Sequence, residues 1–178
     1  LSSSSPADNA TNVAVDANIV LTFSETVDTE SGNITIKKTS DDSTVETISV
    51  TSNQLTGNGF AVIGGGVNGS VITINPASNF DGSTEYYVLI DSTAFDDTSS
   101  NSYVGISSTT ALSFTTIDTA NPTLSSSTPA DNAANVAVTS NIILNFDESV
   151  DVESGNIIIK RSSDDSIFET IAVTSDRV

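Results

Sequence analysis

The segment that decides the fold class is residues 18–25, which read NIVLTFSE. Here Ile19, Leu21 and Phe23 occupy every second position and are separated by smaller or polar residues. Because successive side chains of a β-strand point to opposite faces, this alternation places the three large side chains on one face. We therefore predict a strand with one buried face and one face in water.

The same alternation recurs in short stretches along the chain, and no stretch keeps a helical period for three turns. The predicted inward-facing residues are Ile34 and Ile36, Ile48 and Val50, Ile72 and Ile74, Tyr86 with Val88 and Ile90, and Leu112 with Phe114. Turn-forming residues in 37–44 separate the first two pairs and predict a hairpin. We predict an all-β fold, and about seven short strands in roughly 115 residues fit a two-sheet sandwich better than a barrel.

The chain also repeats itself. Residues 1–55 return as residues 124–178, offset by 123 positions, and 37 of the 55 positions are identical. A repeat this long corresponds to whole domains, since solenoid repeats span roughly 20–50 residues. We predict one complete domain at 1–117, a short linker at 118–123 and a truncated second copy at 124–178. We expect the apolar face of that second copy to need another chain, a dimer partner or further residues.

Composition excludes several classes of function. The chain has no Cys, His, Met or Trp, which excludes disulfides, thiol chemistry and the usual zinc, copper and haem ligand sets. No apolar run approaches the roughly 18 residues of a membrane-spanning helix. The 23 acidic residues outnumber the five basic ones and disfavour partners such as nucleic acid and anionic lipid. We therefore predict no nucleic-acid partner and no direct membrane insertion.

The acidic residues suggest one cofactor, the calcium ion. Any bound metal must be held by oxygen atoms, and calcium takes six to eight of them from carboxylates, carbonyls and water. The candidate calcium ligands group at predicted strand ends and in the linker: Asp28 and Glu30, Asp96 and Asp97, and Asp118 with Asp151 and Glu153. No Asp-x-Asp-x-Asp-Gly loop is present. The alternative is that the negative charge only keeps the protein soluble.

Catalysis is not expected. The abundant Ser and Thr residues have no His to activate a hydroxyl nucleophile. The neighbouring carboxylates Asp41 and Asp42 lie in the predicted hairpin turn, where they point apart into water. A carbohydrate-binding face made of exposed Phe60, Phe95 and Tyr103 is a different alternative, but packing in the core or at a sheet edge is the favoured role of these residues.

Several segments together resemble a known family, the bacterial Ig-like domain of S-layer proteins and large repetitive surface proteins, also called the SbsA-type Ig-like domain. In the first copy the matching segments are SPADNATNVAV at 5–15, NIVLTFSE at 18–25, Val27 with Asp28, ITINP at 72–76, TEYYV at 84–88, DTSSN at 97–101 and LSFTT at 112–116. Ser100 stands where the family usually has Gly. The resemblance covers the first copy and the available part of the second.

The resemblance implies an Ig-like Greek-key β-sandwich, repeated in tandem along an exported bacterial protein, with no shared catalytic residues. We expect a structural extender of a secreted or surface-anchored adhesin-type protein, located outside the cell or on its surface, with neighbouring repeats as partners. The alternatives are a carbohydrate- or protein-binding module and an accessory domain of a secreted hydrolase. A strand-exchanged homodimer is a further expectation, since residues 124–178 carry nearly the same strands as 1–55 and compete for 56–123.

Overall fold

The computed structural model describes residues 1–59, 66–176 and 178. It divides into two compact units, Leu1–Ala120 (unit 1) and Asn121–Val178 (unit 2). The division falls inside the segment 118–123 that the sequence assigns to a linker. The described residues form strands, turns and loops with no helix. Accordingly, none of them belongs to a helix long and apolar enough to cross a membrane.

Unit 1 is a sandwich of two five-stranded sheets. Its described strands are β1 (Ser3–Ser5), β2 (Ala10–Val13), β3 (Ile19–Thr29), β4 (Asn33–Lys38), β5 (Thr44–Ser49), β6 (Leu55–Gly57), β7 (Asn68–Ile74), β8 (Glu85–Ile90), β9 (Phe95–Asp97) and β10 (Ser113–Thr116). One sheet has the order β1-β3-β7-β6, with β9 also paired to β3, and the other has the order β2-β10-β8-β4-β5. The predicted all-β, Ig-like Greek-key sandwich with a tandem repeat is confirmed.

The core lies between the two sheets, where the alternating residues of facing strands meet. Ile19, Leu21, Ile34, Ile36, Ile72, Ile74 and Val88 all have no exposed surface. The predicted inward stripes are therefore confirmed. The hairpin is confirmed as well, because β4 and β5 pair antiparallel around a turn at 39–43.

An aromatic group closes the core at the end where β3 begins. The ring centroids of Phe80 and Tyr86 lie 4.8 Å apart, and those of Phe80 and Phe114 lie 5.2 Å apart. The Phe80 N–H donates to the carbonyl of Val15 at 2.7 Å, and the Asp81 N–H donates to the Tyr86 hydroxyl at 2.8 Å. These bonds hold the β7–β8 connection across that end of the sandwich.

Unit 2 contains two separate two-stranded sheets. Its described strands are β11 (Leu124–Thr128), paired with β12 (Ile143–Phe146), and β13 (Asn156–Lys160), paired with β14 (Ile167–Ala172). These pairs correspond in sequence to β1–β3 and β4–β5. The counterparts of β7, β8 and β10 are absent from the described part of unit 2, so its apolar side chains remain largely exposed.

The same substitution should therefore have different effects in the two copies. Ile36→Ala removes a fully buried side chain of unit 1 and should lower its free energy of unfolding by about 2–5 kcal/mol. Ile159→Ala, at the matching position of unit 2, should change the transition of unit 1 by less than about 0.5 kcal/mol. Urea titration followed by tyrosine fluorescence measures this transition selectively, because all three tyrosines lie in unit 1 and the chain has no Trp. Equal losses for the two variants would contradict the burial difference.

Candidate functional site

Two groups of predicted calcium ligands meet at the end of unit 1 where β3 finishes. The second part of β3 pairs with β9, and Asp28 lies directly opposite Asp96 in this antiparallel pair. Directly opposed residues share a face of the sheet, and both aspartates are partly exposed. Like charges in this position destabilise a strand pair. The sequence separates these carboxylates by 68 positions, and the fold brings them together.

The neighbouring loops are held by hydrogen bonds rather than by charge. The Glu30 N–H donates to the carbonyl of Ala94 at 3.1 Å, while the Glu30 side chain is exposed. Asp91 accepts a hydrogen bond from the Asn33 N–H at 2.8 Å. The backbone of Glu30 and the side chain of Asp91 therefore have structural roles at this end of the sandwich.

Asp97 organises the turn that follows β9. One of its carboxylate oxygens accepts the N–H groups of Ser99 and Asn101, each at 2.8 Å, and the other accepts the Asn101 side-chain amide at 2.8 Å. The side chain of Asn101 and then its N–H hold the pKa of Asp97 below its usual value. Both oxygens therefore already have hydrogen-bond donors from the turn.

The third predicted group is divided between the units. Asp118 belongs to unit 1, where its carboxylate accepts the Ala120 N–H at 2.9 Å. That hydrogen bond, followed by one with the Ser83 side chain, lowers the pKa of Asp118. Asp151 and Glu153 belong to unit 2 and are exposed in the connection between β12 and β13.

No group of three or more acidic side chains that could hold a metal ion occurs within residues 1–59, 66–176 and 178. Among the seven predicted ligands, all of which the structure describes, Asp28 and Asp96 form a directly opposed pair. Calcium binding by the seven carboxylates that the sequence suggests stays a prediction.

Core or edge packing, the favoured role of the three aromatic residues, is confirmed at Phe95 and Tyr103, and the alternative of an exposed binding face is wrong at Phe95. Phe95 is completely buried and packs against Phe23 with ring centroids 5.2 Å apart. Tyr103 is half-buried and packs edge-on against Phe23 at 5.4 Å. Phe60 lies outside the described residues. An open depression beside Tyr103 has a volume of about 160 Å³, which is below the roughly 300–1,000 Å³ of small-molecule sites.

The carboxylates of the β4–β5 hairpin stabilise its turn. Asp41 accepts the Ser43 N–H at 3.0 Å, and Asp42 forms an ion pair with Lys37 at 2.8 Å and accepts the Tyr87 hydroxyl. In unit 2, Lys160 and Asp165 form the corresponding ion pair at 3.0 Å. The interpretation of these aspartates as turn residues is confirmed.

Comparison with known proteins identifies the family to which the chain belongs. The sequence profile of the bacterial Ig-like domain matches residues 1–116 and again residues 118–178. The chain belongs to the bacterial Ig-like domain family. No curated protein and no solved structure matches it. Domains of this family are structural, generally non-catalytic modules that occur in bacterial surface or extracellular proteins.

In this bacterial Ig-like domain, the opening motif joins the N-terminal segment to the last strand. The Ser113 N–H donates to the Asp8 carboxylate at 3.0 Å, and the Asn9 N–H donates to the Ser113 carbonyl at 2.8 Å. Asn9 and Asn12 have φ angles of 58° and 55°, a left-handed conformation in which Asn is enriched. The sequence shows this motif and its repetition but not its distant partner Ser113. The sequence alone therefore does not predict these contacts.

The turn at Asp97 contains one residue that glycine would suit better. Ser100, at the position where the family usually has Gly, has a φ of 63°. A left-handed conformation costs an L-residue roughly 1–2 kcal/mol, and glycine avoids this cost but loses more chain entropy on folding. Ser100→Gly should therefore raise the free energy of unfolding by about 0.5–1 kcal/mol in urea titration. Ser99→Gly is the matched control and should lower the free energy of unfolding. Equal effects of the two substitutions would contradict the strain at Ser100.

The opposed pair Asp28–Asp96 provides a test for calcium. In EDTA, Asp96→Asn should raise the melting temperature because it removes a like-charge contact worth about 0.2–1 kcal/mol. If the pair contributes ligands to a calcium ion, millimolar calcium should raise the melting temperature of the original protein but not that of the variant. Magnesium and the exposed-site variant Asp16→Asn are the controls. A calcium shift that survives Asp96→Asn would exclude this pair as a ligand.

Proposed function

We propose that this chain is a non-catalytic extender region of a large secreted or surface-anchored bacterial adhesin-type protein, in which neighbouring repeats of the same kind are its structural partners. Such a region holds another domain of the protein away from the cell. The observation that supports this proposal is the path of the chain through unit 1, which enters and leaves the sandwich toward opposite ends.

The path follows from strand directions and terminal hydrogen bonds. β1 runs antiparallel to β3, and the Ser2 N–H donates to the carbonyl of Thr22 at 2.7 Å, so the chain before β1 points toward the end where β3 finishes. After β10, the Ile117 N–H donates to the Val13 carbonyl and the Ile117 carbonyl accepts the Ser83 N–H. Ser83 lies in the β7–β8 connection at the end where β3 begins. Successive modules with this path add length to an array.

Two strands near the ends of unit 1, β2 and β10, are arranged to resist a pull along that path. β2 and β10 are parallel, with Ala10 opposite Phe114 and Val13 opposite Thr116. A pull from the N-terminus loads the pairing of β1 with β3 first, and once β1 is released it draws β2 from its start while β10 is drawn from its end. Because the strands are parallel, they are driven past each other, and the hydrogen bonds between them are loaded together in shear. This arrangement favours a mechanical role.

The linker is bound at both of its ends. Within unit 1, Asp118 accepts the Ala120 N–H at 2.9 Å. Within unit 2, the Thr123 N–H and hydroxyl donate to the Asp147 carboxylate at 2.8 and 2.6 Å. Asn121 and Pro122 remain between these anchored residues. The proline ring restricts the backbone conformation of both. These contacts support a short, stiff joint with little free chain.

Force spectroscopy on the chain, tethered at its two ends, tests the extender proposal. Unfolding of unit 1 should appear as a contour-length gain of about 400 Å, because each extended residue contributes at most about 3.3–3.6 Å. Asp8→Ala removes the hydrogen bond from Ser113 and should lower the unfolding force of this event. Asp131→Ala changes the matching residue of unit 2 and should leave that force unchanged. An unfolding force insensitive to Asp8→Ala would contradict the proposed role of the β2–β10 contact.

A further inference from the structure

The two copies of the module differ in a coordinated way on the outer face of one hairpin, which is β4–β5 in unit 1 and β13–β14 in unit 2. At four positions of this face unit 2 has a more apolar residue than unit 1. They are, with the unit 1 residue first, Thr35 and Ile158, Thr44 and Ile167, Val45 and Phe168, and Ser49 and Ala172. We call the four unit 2 residues the outer patch. The inward-facing residues of the hairpin, Ile34, Ile36 and Ile48 in unit 1, are the same in both copies.

Unit 1 shows that these positions lie on the outside of a complete sandwich. On β4, Thr35 lies between two fully buried isoleucines and therefore faces away from the core. On β5, Thr44 is exposed and Val45 is 43% exposed, although both sheets of unit 1 are present. Ile167 and Phe168 occupy the same two positions in unit 2 and are 58% and 62% exposed. Their exposure therefore belongs to the outer surface of the module and not to its core.

The residues of the outer patch lie beside one another. Ile158 is opposite Thr170, and Ile167 is opposite Lys160, which lies two residues after Ile158 on β13. Directly opposed residues share a face of the sheet. Phe168 follows Ile167 at an irregularity in the pairing and is exposed as well. Single exposed apolar side chains are common, whereas a group of them marks a contact surface.

The charges beside the outer patch indicate which partner fits it. The turn of the hairpin carries Lys160 and Arg161 together with Asp164 and Asp165, and Lys160 lies 3.0 Å from Asp165. This turn has no net charge, although the chain has a net charge of −18. A strongly acidic partner is repelled by the rest of the chain, and a strongly basic one is drawn to the acidic positions elsewhere. A second copy of the outer patch, related by a two-fold axis, places apolar residues on apolar residues and the bases of each turn toward the acids of the other.

We propose that the outer patch is a self-association surface through which two copies of this chain form a two-fold symmetric dimer. The patch packs against its own copy, with Phe168 and the two isoleucines at the centre and the charges of the turns at the rim. Such an isologous contact closes at two copies. The patch is small, so the dimer is a transient one that buries less than about 1,200 Å². This contact goes beyond the proposed extender function and does not depend on it.

Sedimentation equilibrium at increasing protein concentration tests the proposal. The original chain should shift from monomer toward dimer and should stop at two copies. The triple variant Ile158→Thr, Ile167→Thr, Phe168→Val gives unit 2 the residues that unit 1 already has in a complete sandwich. It should weaken association by more than about tenfold, because it removes the large apolar side chains at the centre of the contact. A chain that stays monomeric up to about 1 mM, or a triple variant that associates like the original chain, would overturn the proposal.

The reverse exchange is the matched control. Thr35→Ile, Thr44→Ile and Val45→Phe, introduced together with the triple variant, move the outer patch onto the complete sandwich of unit 1. This chain should dimerise again, because the charged residues of the turn are of the same sign at the matching positions of both copies. Failure to dimerise would show that the original chain associates through another surface, and the proposal would be wrong.

Cross-linking locates the contact independently. The chain has no cysteine, and the exposed Thr170 lies opposite Ile158 on the outer face. Its counterpart Thr47 is also an exposed threonine on the outer face of unit 1. On oxidation, Thr170→Cys should form disulfide-linked dimers several times faster than Thr47→Cys. Equal rates for the two variants would show that the outer patch does not bring two chains together.

Discussion

The pairing of β3 with β7 and of β4 with β8 is the constraint on which the sandwich depends. Each of these contacts joins a strand from residues 1–55 to a strand from the remainder of the module. A strand with one apolar face is stable only when that face is covered, and in this fold neither half can cover its own. Unit 2 shows the result, because its strands form local pairs while their apolar residues stay exposed. The local strand pairs depend on residues that are close in sequence, whereas burial of the apolar side chains depends on strands from the other half of the module.

The strongest sequence signals predicted the core because they are local and repeated. The alternation of Ile19, Leu21 and Phe23 can be recognised within a single strand. It predicts that these three side chains are buried. The three-residue strand β1 consists of serines, so it offers no alternation. Phe95 is harder to place from the sequence for a related reason, since β9 is only three residues long and its neighbouring aspartates suggest an exposed loop. Single-strand patterns thus predict long strands well and short ones poorly.

The candidate site was less predictable, because its contacts join distant positions. Asp28 and Asp96 form a pair only after β9 folds back on β3, and Asp8 reaches Ser113 across 105 positions. A carboxylate can also take one of several structural roles, and the sequence alone does not show which role each one has. Asp97 and Asp118 hold turns, Asp42 pairs with Lys37, and Asp28 faces a like charge. The acidic residues of this chain therefore fill several different structural roles.

The similarity of the two N-terminal halves, which are identical at 37 of 55 positions, has a consequence for synthesis. When residues 124–178 emerge, residues 66–120 have already been made and can close onto residues 1–55. Adjacent repeats that are this similar are prone to misassembly between domains when they refold from a fully unfolded state. Synthesis from the N-terminus removes that competition, because residues 1–55 can pair with residues 66–120 before residues 124–178 have been made. Vectorial synthesis therefore favours the pairing of residues 1–55 with the second half of their own module.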